Sequence, residues 1–277
     1  MIFYNNNKLL LWAAIFFALS ILPLSIKNSS PNGDDFYSKN KEIYMQDLGR
    51  ANTFEKLVNY ADSIYNLTER AKFDTAQYVD VVQLIIKERF HHGLAVYSFS
   101  ENWIAKVSSK LFWSDFSAIV EPNDILKHKV GLCSQQTIVF MEVMKLKNIP
   151  VRSVGLGSKE GPGHFLCEVR YENEWHLFDV SVEPNWKKIY YSHKSFDYYL
   201  NNKDSLYKVY ENKLSKNTLD KLMQKVNYGV VNDFSAKNMR LFHKVTFVFT
   251  YLFPMFFAAL IIRAFIKRRR AKKDDQL

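Results

Sequence analysis

Two hydrophobic patterns organise this chain: long uncharged runs at its ends and short periodic runs between them. Leu9–Ile26 holds eighteen residues without a charge, and Val245–Ile262 holds another eighteen. At 1.5 Å per residue each run makes a helix about 27 Å long, enough for the hydrocarbon core of a bilayer, so a transmembrane helix is expected at each end. The first run is long for a signal-peptide core, and Pro23-Leu24-Ser25-Ile26-Lys27 is a poor cleavage site, so it reads as a retained signal anchor. Pro254 inside the second run is tolerated in a membrane helix.

Between these runs, apolar residues recur at helical spacing in Phe54–Leu67 (Phe54, Leu57, Val58, Ala61, Ile64, Tyr65) and in Thr75–Phe90 (Tyr78, Val79, Val82, Ile85, Ile86). A third helix is expected from Cys133 to about Lys147, with Cys133, Thr137, Phe140, Met141 and Met144 on one stripe. Asn148 and Pro150 stop it, the first as a left-handed cap and the second as a breaker. Alternation then replaces the helical period. Val151–Leu156, Phe165–Tyr171 and Trp175–Val182 read as strands, the last two joined in a hairpin by Glu172-Asn173-Glu174. Leu206–Val226 returns to helical spacing, and Trp103–Phe116 is less periodic. The expected organisation is an anchor at 9–26, a linker and helical part at 27–110, a core with its C-terminal helix at 111–230, a second span at 245–262, and a tail at 263–277. Lys27–Lys39, with Pro31, Asn32 and Gly33, is the juxtamembrane linker.

Charge adds an orientation to this picture. The 277 residues carry a formal net charge of +10. Arg263–Asp275 alone supplies seven positive and two negative side chains, a net +5. The positive-inside rule puts that end in the cytoplasm. Two spans then return the N-terminus to the same side, with residues 27–244 in a periplasm or extracellular space. The basic surplus is thus a topology signal rather than a nucleic-acid footprint, and the tail suits anionic lipid headgroups. The apolar share of 48% is ample for a core. The two cysteines make no disulfide scaffold. Cys167 is an odd step from His164 on its strand, so it faces the other way and reads as a buried apolar residue.

Cys133, His164 and Asp179 fall in that order within forty-seven residues. A cysteine at a helix N-terminus sits at the positive end of the dipole, which favours its thiolate. A histidine beside it holds the proton as an imidazolium, and an aspartate on the adjacent strand fixes that ring and offsets its charge. Each residue alone reads best as a core group; their joint placement at a helix start, a strand and the next strand favours catalysis. The backbone N–H of Cys133 is one oxyanion donor. Trp113, His128 and Gln135 are second donors by residue type, and no spacing selects among them. His91-His92 reads as a solvated helix end rather than a metal site. His176 points away from Asp179, and Glu168 shares the face of His164 with a surface ion pair as its ordinary role. Gly155-Leu156-Gly157 precedes no helix and makes no phosphate loop. Gly161-Pro162-Gly163 is a turn that lets His164 approach the nucleophile. Asn28-Ser29-Ser30 and Asn66-Leu67-Thr68 fit glycosylation acceptors, a pattern common by chance.

Gly131-Leu132-Cys133, Asn148-Ile149-Pro150-Val151-Arg152, Gly163-His164-Phe165 with Cys167-Glu168-Val169, and Trp175-His176-Leu177-Phe178-Asp179 together resemble the transglutaminase-like superfamily, over about Ile85 to Pro184. The resemblance implies a papain-like α+β fold, with a central helix carrying Cys133 packed on an antiparallel sheet carrying His164 and Asp179. It implies cysteine acyl chemistry through a thioester, with no cofactor and no metal. Ser134 stands where animal members have a Trp, and Leu166 where many have an aromatic residue, so hydrolysis or transfer to other acceptors stands beside cross-linking. The expected substrate is a peptide, protein or envelope polymer close to the membrane, with any membrane-protein partner left open. The alternative is a non-catalytic binding or scaffold module on the same fold.

Overall fold

The computed structural model describes residues 2–26, 44–67, 73–157, 163–182 and 193–274. The helices are α1 (Ile2–Ser25), α2 (Phe54–Asn66), α3 (Thr75–Arg89), α4 (Phe99–Leu111), α5 (Pro122–Ile125), α6 (Cys133–Leu146), α7 (Phe196–Asn201), α8 (Lys203–Val209), α9 (Lys216–Leu222) and α10 (Lys237–Asp274). The strands are β1 (His91–His92), β2 (Val130–Gly131), β3 (Val151–Gly157), β4 (His164–Tyr171), β5 (Glu174–Phe178) and β6 (Lys225–Tyr228). The chain divides into two compact units, one of residues 32–95 and 119–236, the other of residues 1–31, 96–118 and 237–277.

The larger unit is a mixed α+β body around an antiparallel sheet ordered β5-β4-β3-β6. β1 and β2 form a separate two-residue parallel pair. α6 packs on one face of the sheet. The Phe140 and Phe178 rings lie 5.7 Å apart, and the Thr137 hydroxyl donates to the Phe165 carbonyl at 3.2 Å. The other face buries Val154, Leu166 and Leu177 against Phe196, Tyr199 and Leu206 from α7 and α8. Both faces are therefore covered, which explains the runs of consecutive buried residues in β3 and β4.

Local chemistry sets the element ends. Thr53 and Asp74 cap α2 and α3 by accepting from Lys56 and Gln77 backbone N–H groups. Asn148 takes φ 57° after α6, the left-handed stop its amide side chain tolerates. Glu172 and Asn173, at φ 52° and 64°, make a two-residue turn that registers Tyr171 against Glu174. β5 ends at Phe178, short of the expected Val182, because the chain turns at Asp179, whose carboxylate accepts from the Ser181 hydroxyl and the Val182 N–H. The single helix expected over Leu206–Val226 is instead α8, α9 and β6. Asn212 breaks it at φ 67°, Ser215 caps α9, and Val226 pairs with Leu156 on β3. Trp103 sits on α4, which a Ser98–Glu101 capping box starts.

The smaller unit assembles α1, α4 and α10. Asn102 is fully buried with φ −152° and ψ 80°, a kink inside α4. Its side chain donates to the Thr246 hydroxyl at 2.9 Å and accepts from Thr250 at 3.2 Å. Phe16 of α1 stacks on Phe257 of α10 at 5.5 Å. Among the described residues, Lys237–Arg270 of α10 is the helix long and apolar enough to cross a membrane. One such helix is found among the described residues, not one at each end as expected; the apolar stretch described in α1 is Leu10–Ser25. The linker Lys27–Lys39, the Asn28-Ser29-Ser30 acceptor, Thr68, Gly161-Pro162 and Pro184 lie outside the described residues.

Candidate functional site

Cys133 is the first residue of α6, following Leu132 in extended conformation (φ −72°, ψ 168°). The first-turn N–H groups of a helix have no carbonyl one turn back, so they and the aligned peptide dipoles make this an electropositive position. Gln135 holds the turn. Its Oε1 accepts from the Leu132 N–H at 3.2 Å and the Ala95 N–H at 2.9 Å, while its Nε2 donates to the Ala95 and Ile119 carbonyls at 2.7 and 2.8 Å. These four bonds saturate the amide, so Gln135 is not available as an oxyanion donor and serves to fix the loop before the sulfur. Trp113 belongs to the other unit.

His164 opens β4, directly after Gly163. A Cβ added to Gly163 would sit 2.5 Å from the Leu156 carbonyl oxygen, so only glycine allows β3 and β4 to close here. His164 Nε2 lies 2.6 Å from Asp179 Oδ2, which leaves Nδ1 for the Cys133 thiol with which the ring hydrogen-bonds. The Phe165 backbone N–H also donates to the Cys133 sulfur. Asp179 is fully buried at the end of β5, and its four carboxylate contacts are shared between two oxygens. Oδ1 accepts from the Ser181 hydroxyl and the Val182 N–H, both at 3.2 Å; Oδ2 takes His164 and, at 2.9 Å, the hydroxyl of Tyr210. Gln83 of α3 donates to the Asp179 backbone carbonyl at 3.5 Å.

These contacts set the charges. Burial pushes the Cys133 thiol up, but the hydrogen bond and positive charge of His164 and the Phe165 N–H outweigh it, leaving the thiol below its ordinary value. Burial pulls His164 down, yet the Asp179 carboxylate and the bond to Cys133 lift it to about 10. Asp179 stays below the usual carboxylate range despite burial, because His164, Tyr210 and Val182 all stabilise its anion. Together these shifts favour a thiolate–imidazolium pair over an ionised carboxylate. Cys167 behaves oppositely: burial first, then the Asp179 and Glu168 charges, hold its thiol well above the ordinary value. Both cysteines are free.

The structure brings Cys133, His164 and Asp179 into one hydrogen-bonded chain. His176 stays apart, stacked on Tyr171 with ring centroids at 3.7 Å and bonded to the His193 carbonyl at 2.6 Å. Glu168 is buried rather than superficial. It binds Arg152 at 2.7 and 2.8 Å and the Phe196 N–H at 2.6 Å, and Arg152 itself lies between the Trp175 and Tyr228 rings. His91 is buried and stacks on Tyr44 at 4.0 Å, not solvated as its helix-end position suggested. Tyr210 is the site residue that sequence reasoning missed. It contacts Asp179 from thirty-one residues away, at the end of α8, and no local pattern marks it.

No protein-family model matches the chain, and neither does any curated protein. Among solved structures it is similar to one described as "Crystal structure of a TGase". The identity is 14% and the TM-score 0.32, over 57% of this chain and 35% of that one. The chain thus spans about a third of that protein's length. A superposition this loose decides nothing about chemistry.

Proposed function

We propose that the protein is a membrane-anchored cysteine hydrolase or acyl transferase acting on amide bonds through a thioester. One observation carries the reading: the unbroken run of hydrogen bonds from the Cys133 sulfur through the His164 ring to the buried Asp179 carboxylate. The Cys133 thiolate attacks the carbonyl carbon, and the developing oxyanion takes a hydrogen bond from the Cys133 backbone N–H at the start of α6. The His164 imidazolium gives its proton to the departing amine as the C–N bond breaks, leaving a thioester and a neutral imidazole. That imidazole then takes a proton from water or an acceptor amine, which attacks the thioester and frees the thiolate. Asp179 keeps the ring oriented through Nε2 and offsets its positive charge.

α10 anchors the enzyme, and its Arg263–Lys273 cluster favours a cytoplasmic end, so the unit carrying Cys133 faces a periplasmic or extracellular space. A peptide, protein or envelope polymer near that membrane is the substrate class this anchoring supports. The test is to trap the acyl group. Incubation of the full chain with isolated envelope material or a peptide library, quenched in acid, leaves a mass increment on the peptide containing Cys133. Substitution Cys133→Ala abolishes it. An increment that survives in Cys133→Ala, or none under any condition with folded protein, sinks the proposal.

A further inference from the structure

α4 runs out into Leu111-Phe112-Trp113, three consecutive large apolar side chains exposed by 68%, 78% and 52%. Such a run is costly on a water-facing surface and marks a contact with something apolar. Its surroundings say what. Trp113 meets Phe116 edge-on with ring centroids 5.5 Å apart, and Phe116 lies 4.6 Å from Phe242 of α10. The Phe116 carbonyl accepts from His243 Nε2 at 2.9 Å. Val245, two residues further along α10, begins its uncharged run of eighteen residues. Asn102 ties the start of α4 to the same stretch through Thr246 and Thr250. The apolar triple is therefore held beside the start of that run, and Val245, Phe247 and Val248 within the run are exposed as well. Lys110 and Lys244, both exposed, flank it with positive charge. Indole rings favour this depth, having an apolar body and a polar N–H, and lysine ammonium groups suit the phosphates above it.

We infer that Lys110–Trp113 is an interfacial wedge: Leu111, Phe112 and Trp113 seat in the headgroup–acyl boundary of the bilayer that α10 crosses, with Lys110 and Lys244 against lipid phosphates. The inference rests on α10 being a membrane span. It gives α4 a second attachment to lipid besides α10 itself.

The test uses the full chain carrying Cys133→Ala, reconstituted in nanodiscs of phosphatidylcholine and phosphatidylglycerol. Nitroxide labels are placed singly at Phe112→Cys, at Met255→Cys within α10, and at Lys213→Cys in the other unit; buried Cys167 is the background. Collision with oxygen reports lipid and collision with a nickel chelate reports water. The expected result is an oxygen-to-nickel ratio at position 112 several-fold above that at 213 and approaching that at 255. A ratio at 112 matching 213, with 255 lipid-like, overturns the wedge and leaves the span standing. A water-like ratio at 255 overturns both. Shielding of position 112 from both reagents marks a protein partner instead and also overturns it.

Discussion

Two sulfurs in this chain have opposite fates, and the difference is a matter of neighbours. Cys133 has a helix start, an imidazole and a backbone donor around it; Cys167 has burial and two carboxylate charges. Alkylation by iodoacetamide is expected to modify Cys133 selectively at pH 7, with a rate that rises through a midpoint below the ordinary thiol value. His164→Ala removes the groups that offset burial, so that midpoint moves up and the rate at neutral pH falls. Equal labelling of both cysteines, or no change in His164→Ala, counts against the ion pair. The pair has an alkaline limit as well. The His164 proton is held to about 10 against an ordinary 6.5, so the stability it contributes is complete below pH 6.5 and is lost as pH climbs toward 10. Turnover should decline over the top of that window. Tyr210 acts one step further back, through Asp179. Hydrogen bonds to charged groups contribute about 1.5–3 kcal/mol, so Tyr210→Phe should lower kcat/KM by roughly ten- to a hundredfold. It should also raise the pH at which activity appears on the acid side, since the Tyr210 hydroxyl helps keep Asp179 ionised. A drop in activity with an unshifted acid limb would mean that Tyr210 only packs.

At the scale of elements, the site depends on how closely β3 and β4 approach at Gly163. Gly163→Ala places a methyl 2.5 Å from the Leu156 carbonyl. Overpacking of that kind costs about 1–3 kcal/mol, and because the strain falls beside His164 it should also slow Cys133 alkylation. Thermal unfolding and the alkylation rate together check this; an unchanged rate in a destabilised protein would separate strand closure from the site. The helix pattern of α2 and α3 was visible in the sequence because each buries one periodic stripe; α6 and β4 bury consecutive residues, so there the stop at Asn148 and the turn at Glu172-Asn173 carried the signal. β6 was not visible. Lys225–Tyr228 is four residues long with its surface mostly exposed, and only its pairing with β3 makes it a strand. The split of α8 from α9 had a readable signal in Ser215 with Thr218 and a left-handed Asn212, overridden by apolar spacing that both helices satisfy against the same cluster. The capping box of α4 was equally readable.

For the whole molecule, the consequential prediction is sidedness. Leu277 should lie in the cytoplasm, and an impermeant thiol reagent should reach Lys213→Cys from the opposite side in intact cells. Labelling of that position only after permeabilisation would reverse the assignment; a reporter at residue 1 reads on which side α1 begins. The sequence by itself determined the apolar run of α10, its basic flank, and the order of Cys133, His164 and Asp179, since composition and local period are properties of neighbouring residues. It predicts a span at each end, whereas α10 is the one helix among the described residues with the length and apolarity to cross a bilayer. Tertiary structure alone decided that Gln135 is consumed by the Ala95 and Ile119 backbone, that Glu168 is a buried partner of Arg152, and that Tyr210 reaches Asp179. Those are contacts between residues far apart in the chain, chosen by packing, and packing leaves no periodic mark on the order of the amino acids.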